Sequence, residues 1–320
     1  MADTKQAGPL SGAALPHPRP IHSVYRPGRR HVLRRRAGRT LTYLILTVGA
    51  VICVAPFIWM VSASLEPIGQ IFSWPPHWIP SHATLQNYTS FLSGGSSVVR
   101  WLLNSAFVSV TVTILQVFLS ALAAYAFAKR RFPGRNVIFF LFLGTMMFPG
   151  AIMFIPNYIV LKHIPLFGGN SVVGMGGHGW LNSFWGLIIP AAISPFDIFL
   201  LRQFMKSIPD ELLDAARMDG AREFLIFRRI VLPLCKPALA AVAIFTFGYF
   251  WQDYLWPLIV INSPSLYTLP LGLGLFVQQH NAQWGLLMAG SVISLIPVIV
   301  VFLIFQRHFI EGVSMSGLKG

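Results

Sequence analysis

The sequence is poor in charge, and especially in acid. Of its 320 residues, 11% are charged, with ten Asp and Glu against 24 Lys and Arg, while 55% are hydrophobic. A soluble protein of this length needs a larger polar surface to cover its core. The composition therefore excludes an ordinary soluble protein and predicts an all-α, polytopic membrane protein.

Cysteine is scarce as well, and several catalytic motifs are missing. Cys53 and Cys235 are too few and too poorly placed for a disulfide framework. The sequence contains no G-x-x-x-x-G-K-[ST] loop to hold phosphates, no H-E-x-x-H to hold zinc and no G-x-S-x-G turn to present a nucleophile. Nothing in it points to nucleotide hydrolysis or to a hydrolase.

Long hydrophobic runs, by contrast, are abundant. A helix of about 20 residues crosses a bilayer, and six runs are close to that length. They lie at residues 41–61, 101–128, 137–160, 184–201, 238–261 and 286–305. The sequence thus predicts six transmembrane helices.

The positive charges lie almost entirely on one side of these runs. With the N-terminus placed in the cytoplasm, all of the 24 Lys and Arg except Arg100 and Lys162 fall in cytoplasmic segments. Such an asymmetry is typical of membrane topology. It predicts cytoplasmic N- and C-termini, and it explains the net charge of +14 without a nucleic-acid partner.

The ends of the chain are predicted to be polar extensions. Residues 1–40 are expected to be a disordered, basic cytoplasmic segment. The apolar run that follows is too long for a cleaved signal peptide, so residues 41–63 are expected to be the first transmembrane helix. Residues 307–320 are expected to be a cytoplasmic tail.

Few polar side chains lie within the predicted helices. Asp197 and Asp253 are acids at membrane depth, where a carboxylate favours a functional role, although a hydrogen bond near the interface would explain each equally well. Asn104, Gln116 and Asn157 either line a polar cavity or bond between helices. The sequence leaves both alternatives open.

One cytoplasmic segment, DELLDAARMDGAREFLIFRRIVLP at residues 210–233, is both charged and regular. Ser207 is predicted to cap a helix that has Pro209 in its first turn. Gly220 is predicted to permit a sharp turn before a second helix. An amphipathic helix pair of this kind buries its apolar stripe against another surface. That surface is the lipid headgroup region, the protein's own helices or a groove on a cytoplasmic partner.

The spacing of this segment resembles the EAA loop of ATP-binding-cassette (ABC) importer permeases. The pattern is E-A-A, three residues, G, nine residues, I, one residue, L-P. The matching positions are Asp214, Ala215, Ala216, Gly220, Ile230, Leu232 and Pro233. The one departure is Asp214 in place of glutamate, which keeps the charge on a shorter side chain.

The surrounding sequence is similar to the carbohydrate-importing branch of that family, the maltose-type permeases. The similarity extends over residues 85–320 and includes WQDYLWPL and YTLPLGLGLF. It implies a type I ABC importer permease fold with six transmembrane helices. Five of them would form a core at residues 97–306, with a cytoplasmic coupling loop at residues 207–233.

The resemblance also implies partners. A second homologous permease subunit, two cassette ATPase subunits and an extracytoplasmic sugar-binding protein are expected, in the inner (plasma) membrane. The chain itself is expected to be no enzyme and to bind no cofactor, with ATP and magnesium on the ATPase. The loop would transmit closure of the ATPase to the helices, which switch between outward and inward access.

Two sets of site residues follow from the resemblance, and no metal site is expected. The expected ATPase-coupling residues are Glu211, Asp214, Ala215, Ala216, Asp219, Gly220, Phe224, Ile230, Leu232 and Pro233. The expected substrate pathway contains Trp251, Gln252, Asp253, Asn104 and Asn157.

Three alternatives stay open. Within the family, the solute is a sugar or polyol, or else another solute such as glycerol phosphate. The acids of DELLD are similar to those of magnesium-dependent intramembrane prenyltransferases, but such enzymes need a second acidic cluster to hold the metal. A secondary transporter commonly has inverted repeats and ionisable residues paired at the midplane, for which the sequence gives no sign.

Overall fold

The computed structural model describes residues 29–67, 70–71, 78–80, 82–93, 96–277 and 283–316. Within these ranges the regular structure is helical and contains no strand, as the composition predicts. The chain divides into two compact units, Met1–Pro56 and Phe57–Gly320. Both sites considered below belong to the second unit.

The helices follow one another closely along the chain. Those described are α1 (Arg29–Leu65), α2 (Gln86–Ser93), α3 (Ser96–Lys129), α4 (Arg135–Thr145), α5 (Phe154–Lys162), α6 (Phe184–Ile188), α7 (Pro195–Lys206), α8 (Asp210–Met218), α9 (Glu223–Ile226), α10 (Leu232–Leu234), α11 (Lys236–Trp251), α12 (Leu255–Val260), α13 (Leu269–Gly274) and α14 (Trp284–Ser316). A π-helical turn at Phe227–Val231 joins α9 to α10.

Not all of the six predicted spans are continuous helices. The described helices that are long and apolar enough to cross a membrane are Gly38–Leu65, Ser97–Lys129 and Trp284–Arg307. Two bent pairs also qualify, namely Arg135–Thr145 with Gly150–Lys162 (94°) and Glu223–Leu234 with Lys236–Trp251 (79°). The described residues therefore hold three spanning helices, or five if each bent pair is one span, and six are not confirmed.

The fourth predicted span is interrupted. α6 ends at Ile188 and α7 begins at Pro195, so residues 189–194 are not helical. Pro190 lies within the break and lacks the backbone N–H that a helix needs. Pro195 begins α7, and Ser194 before it is extended, because proline disfavours helical backbone in the preceding residue. Ser194 then caps α7, its Oγ accepting a hydrogen bond from the Asp197 N–H at 3.2 Å.

The first helix begins earlier than predicted. α1 starts at Arg29 rather than at residue 41, so the disorder expected over residues 1–40 is wrong for residues 29–40. Arginine is a good helix former. Adding residues to the end of an existing long helix costs less free energy than nucleating a new helix. The rest of that prediction, at residues 1–28, lies outside the described residues, as does the end of the tail at residues 317–320.

The core of the second unit is built around α3. α3 packs against α7 and α11, and α11 packs in turn against α14. One apolar cluster brings the C-terminal half of α3 together with α7 and the segment that follows it, and it includes the buried side chains of Ala124, Leu201, Leu213, Phe227 and Val231. This cluster holds the charged segment against the bundle.

Candidate coupling loop

The cap position of α8 is two residues later than predicted, at Pro209. Ser207 ends α7, and its Oγ donates to the Phe204 carbonyl at 2.7 Å. Pro209 occupies the cap position of α8, and Asp210 and Glu211 lie in the first turn. The prediction that Ser207 caps α8 is wrong because the two helices adjoin and Ser207 serves the first. The acids nevertheless stand at the positive end of the α8 dipole.

Gly220 ends α8 in a Schellman turn. Its φ is +80°, a left-handed conformation that glycine adopts without strain. The Gly220 N–H donates to the Arg217 carbonyl, and the Ala221 N–H donates to the Ala216 carbonyl, both at 3.0 Å. These are the two bonds of the motif. The predicted sharp turn is therefore present, and it depends on the backbone of this one residue.

A second helical stretch follows the turn. α9, the π-helical turn and α10 run together from Glu223 to Leu234, and the chain bends by 79° before α11. The bend falls at Cys235, between Pro233 and Pro237. We use the name coupling loop for residues 207–233.

The coupling loop has a buried side and an open side. Leu213 of α8 and Phe227 of the π-helical turn are at most 2% exposed in the apolar core. On the open side, Leu212 is 49%, Phe224 is 61% and Met218 is 88% exposed. The apolar stripe is thus split between the protein's own core and the surrounding medium.

Glu223 links the coupling loop to the end of α3. Tyr125 donates its hydroxyl to Glu223 Oε2 at 2.6 Å, and Arg130 forms an ion pair with Oε1. Arg217 Nε donates to Glu223 Oε1 at 3.0 Å, and its Nη1 pairs with Asp214 Oδ1 at 2.6 Å. We call these five residues the Glu223 network.

Hydrogen bonds within the network shift the pKa of Arg217. The hydrogen bond to Glu223, supported by the one to Asp214, raises the pKa of the Arg217 guanidinium above its usual range. Arg217 therefore stays charged, and its planar fork holds the two carboxylates together.

Lys129 makes a second connection between α3 and the loop. Its side chain is 4% exposed, and Nζ donates to the Ile208 carbonyl at 2.5 Å and to Asp210 Oδ1 at 2.6 Å. The hydrogen bond from Lys129 to Asp210 and the charge of Lys129 lower the pKa of the Asp210 carboxyl. The last turn of α3 thus holds both the start of α8, through Lys129, and the segment after its end, through Tyr125.

The motif residues divide between the two sides of the loop. Ala216, Ile230 and Leu232 are half-buried, whereas Ala215 and Pro233 are exposed. The other predicted coupling residues on the open side are Glu211, Asp214, Asp219, Gly220 and Phe224. The structure brings these positions onto one segment held at the end of α3.

Comparisons with known proteins give the family of the chain. Residues 116–315 match the family described as binding-protein-dependent transport system inner membrane component, and the match contains the whole coupling loop. The chain belongs to this family.

Individual relatives cover most of the permease. The arabinooligosaccharide transport system permease protein AraQ of Bacillus subtilis is 34% identical over 287 residues, which are 89% of this chain and 96% of AraQ. The sn-glycerol-3-phosphate transport system permease protein UgpE of Salmonella typhi is 35% identical over 291 residues, 88% of this chain and 98% of UgpE.

A solved structure is similar along nearly its whole length. It is a crystal structure of a bacterial ABC transporter involved in the import of the acidic polysaccharide alginate. One of its chains superposes with a TM-score of 0.71 at 25% identity, covering 86% of the permease and 97% of that chain. The permease therefore has the type I importer permease fold and is a multi-pass, inner-membrane-type protein.

Several residues that hold the coupling loop are not predicted from the sequence. Tyr125, Lys129, Arg130, Arg217 and Glu223 hold the permease's coupling loop in place, yet none belongs to the motif spacing. Tyr125 and Glu223 are 98 residues apart in the chain, so no local pattern joins them. The available signal is the cluster of cations just after the second apolar run, in AKRRFPGRN, because such a cluster is expected to pair with acids of a neighbouring loop.

The residues expected along the substrate pathway lie on α3, on α5 and at the end of α11. Trp251 is 2% exposed, stacks on Phe247 with centroids 5.6 Å apart, and donates Nε1–H to the Ser294 carbonyl at 2.8 Å. Gln252 is exposed after the end of α11, and Asp253 Oδ1 accepts from the Trp256 N–H at 3.4 Å. Trp251 therefore packs α11 on α14 of the permease.

The two asparagines lie on other helices. Asn104 on α3 donates to the carbonyls of Ser265 and Tyr267 at 3.0 and 2.8 Å, which fastens the loop before α13 to α3. Asn157 lies on the exposed side of α5. The geometry gives Asn104 a structural contact.

Proposed function

We propose that this chain is the permease subunit of an ATP-driven, binding-protein-dependent importer for a sugar or polyol. Its family consists of transport components that depend on a binding protein. Among its relatives, AraQ is named for arabinooligosaccharides, and the structural neighbour belongs to an alginate importer. The observation that carries the mechanism is the coupling loop, which is fastened to α3 at two points and exposes apolar side chains.

The open side of the coupling loop is the surface for a cassette ATPase. Leu212 and Met218 on α8 and Phe224 on α9 are exposed large apolar side chains next to exposed acids. Such a helix fits a groove by inserting its apolar side chains and pairing its charges at the rim. Ala215 has a small side chain, which lets the α8 backbone approach the wall of that groove closely.

The two connections to α3 explain how force reaches the membrane. Lys129 holds residues 208–210 and the Glu223 network holds the residues on either side of Gly220. A helix attached at one point would pivot, whereas one attached near both ends moves with its support. Closure of the ATPase would therefore move α3 and α8 together. This movement would switch the transmembrane helices between outward and inward access.

The remaining partners belong to the same proposal. A second homologous permease would complete the pathway, two cassette ATPases would bind ATP and magnesium, and a sugar-binding protein would dock on the external loops. The cytoplasmic placement of both termini follows from the distribution of Lys and Arg. The chain itself would take no part in hydrolysis.

Glycerol phosphate is the second candidate solute. UgpE is named for sn-glycerol 3-phosphate and is as similar to this chain as AraQ is. The prenyltransferase alternative has less support, because Asp210 is paired with Lys129 and Asp214 with Arg217. Carboxylates so engaged are poorly placed to hold a diphosphate's magnesium.

Reconstitution tests the proposal. The permease is purified with its second permease and ATPases in proteoliposomes, and ATP hydrolysis and uptake are measured with the binding protein and a panel of solutes. We expect a neutral sugar or polyol to stimulate hydrolysis and to accumulate only when ATP is present. Accumulation without ATP, or a complex that forms without any cassette subunit, would contradict the assignment.

A further inference from the structure

The turn between α3 and α4 contains a cleft of about 350 Å³. Its lining is Arg131, Phe132, Gly134, Arg135, Asn136 and Val137. Arg131 and Asn136 are exposed and Arg135 is half-buried, so a ligand in the cleft can reach their side chains. α4 begins here as the first half of a bent pair that is long and apolar enough to cross a membrane. The cleft therefore lies where the chain enters the bilayer.

Two cations at the end of α7 lie close to the cleft. Arg202 is 6% exposed, and its Nε donates to the Phe127 carbonyl of α3 at 3.1 Å. Its guanidinium carbon stands 3.9 Å from the centre of the Phe139 ring of α4. Burial, together with the charges of Arg202 and Arg135, lowers the pKa of the Lys206 ammonium. The side chains of Arg135, Arg202 and Lys206 are thus near enough to repel one another.

The cations around the cleft have no carboxylate to offset their charge. Within the described ranges of the chain, no ion pair includes Arg131, Arg135, Arg202 or Lys206. Arg135 Nη1 donates to a neutral acceptor instead, the Arg130 carbonyl, at 2.9 Å. Cations gathered in this way repel one another and destabilise the fold around them. A bound anion would offset that repulsion.

The carboxylates on this side of the bundle already have partners. Asp210, on which the charge of Arg131 also acts, accepts a hydrogen bond from Lys129 at 2.6 Å. Glu223 pairs with Arg130. The anion for the cleft is therefore expected to come from outside the chain.

Membrane topology accounts for only part of this arrangement. Cations collect at one end of spanning helices in any membrane protein, and Arg202 has a further structural role because it ties α7 to α3 and α4. Neither fact explains why Arg131 and Arg135 line a cleft whose described lining contains no acid. Lys129 and Arg130, which precede them in the chain, both pair with carboxylates.

The chemistry of the cleft indicates the kind of anion. Arginine guanidinium groups bind phosphate through paired hydrogen bonds. No described side chain caps α4, whose first residue is Arg135, so N–H groups at the positive end of its dipole can add hydrogen bonds to an anion. On α4, Val137, Phe140 and Leu141 are between 63% and 68% exposed and share one face. A phosphate held in the cleft would have this apolar face beside it for acyl chains.

We propose that the cleft binds the phosphate group of an anionic phospholipid such as phosphatidylglycerol, whose acyl chains lie along α4. The distribution of Lys and Arg assigns this end of the helices to the cytoplasm, and basic pockets on that side are suited to anionic headgroups. The adjoining apolar face favours a lipid over a free phosphate ion. The inference goes beyond the proposed import function and holds for any transported solute.

Photocrosslinking in the assembled complex tests the site without transport. The complex is reconstituted in nanodiscs with a trace of photoactivatable phosphatidylglycerol, or of the matching zwitterionic phosphatidylcholine, and the adducts are mapped on this chain. We expect the phosphatidylglycerol probe to label residues 131–141 about fivefold more than the phosphatidylcholine probe does. Excess unlabelled phosphatidylglycerol should compete with the probe, and millimolar inorganic phosphate should not.

Variants of the lining arginines complete the test. Arg131→Gln and Arg135→Gln should each lower labelling by the phosphatidylglycerol probe about fivefold. Arg131 is exposed, so its variant leaves the core intact, and Arg131→Lys keeps the charge and should keep most of the labelling. The matched control combines Arg228→Gln with Arg229→Gln, two exposed arginines outside the lining of the cleft. It should leave the labelling of residues 131–141 unchanged.

Several results would overturn the lipid site. Equal labelling by the two probes, adducts only outside residues 131–141, or full labelling of the Arg131→Gln and Arg135→Gln variants would show that the cleft selects no anionic headgroup. Displacement of the probe by inorganic phosphate would assign the cleft to a free anion. An equal loss in the Arg228 and Arg229 control would reduce the effect to general attraction between a basic chain and an anionic membrane. The import function is tested separately, by reconstitution with the binding protein.

Discussion

At the scale of single residues, Gly220 is the position where backbone geometry alone decides the outcome. An added Cβ would meet no atom within 4 Å, but φ is +80°. A side chain there is strained by the backbone rather than by packing. An L-residue other than Asn or Asp in this conformation costs about 1–2 kcal/mol, which is enough to unwind the end of a short helix such as α8.

We therefore expect Gly220→Val to uncouple the complex, with ATP hydrolysis continuing while sugar uptake falls about tenfold. Gly220→Asn should retain most of the uptake, because Asn adopts the left-handed conformation more readily. Gly144→Val is the control, since Gly144 in α4 also has open space around it and ordinary φ. Equal uptake by the Val and Asn variants would show that the turn is not the reason for this glycine.

Single positions are also where the sequence is most informative. The Schellman turn at Gly220 depends on one residue and its neighbours, so the motif spacing reveals it. Ser207 is misassigned because a serine between two adjoining helices satisfies the rules for ending one and for starting the next. Only the structure, with Ser207 Oγ donating to Phe204, decides between them.

At the scale of elements, the central feature is the attachment of the coupling loop to α3. Sequence does not predict it, because Lys129 and Asp210 are 81 residues apart, and Tyr125 and Glu223 are 98 apart. The same limit applies to the fourth apolar run. Its hydropathy suits a span, but Pro190 and Pro195 break it, and hydropathy does not register the loss of a backbone donor.

The Glu223 network should behave as one unit. In a double-mutant cycle with Tyr125→Phe and Glu223→Gln, we expect a coupling energy of about 1 kcal/mol in the stability of the purified permease. The expected coupling energy is small because Glu223 is 37% exposed and solvent screens its ion pairs. The measurement is thermal or denaturant unfolding in detergent.

The functional readout of that cycle distinguishes a coupling role from a purely structural one. Glu223→Gln should lower sugar-stimulated ATP hydrolysis severalfold and leave unstimulated hydrolysis unchanged, since the cassettes still close but move α3 less. Tyr125→Phe should show a smaller loss in the same direction. Equal losses of both activities would mean that the network only holds the fold together.

At the scale of the whole molecule, the chain is one part of a larger assembly. Its low charge, the position of its Lys and Arg on one side of the apolar runs, and its family membership indicate a membrane subunit of a transport system. The coupling loop, which follows the end of α7, is the surface that we propose for the cassette ATPase. The bent and broken helices, at Pro149, at Pro190 and at Cys235, are the points where such a bundle can change shape.

The broad class and the loop are readable from sequence at this scale, while the number of spans is not. A count of apolar runs gives six, and the described structure gives three continuous spans and two bent ones. The difference arises because composition reports how apolar a segment is, whereas the path of the backbone depends on prolines and on the neighbours that satisfy the freed carbonyls.

The most direct test of the central claim is site-specific crosslinking from α8. Met218, which is 88% exposed, is changed to cysteine in a Cys53→Ser background, and a short crosslinker is applied to membranes that contain the full complex. We expect a product with the cassette ATPase whose yield changes on adding ATP and vanadate. Met147→Cys, at an 85% exposed position between α4 and α5, should give none. Products from position 218 with lipid or with this chain alone would contradict the account.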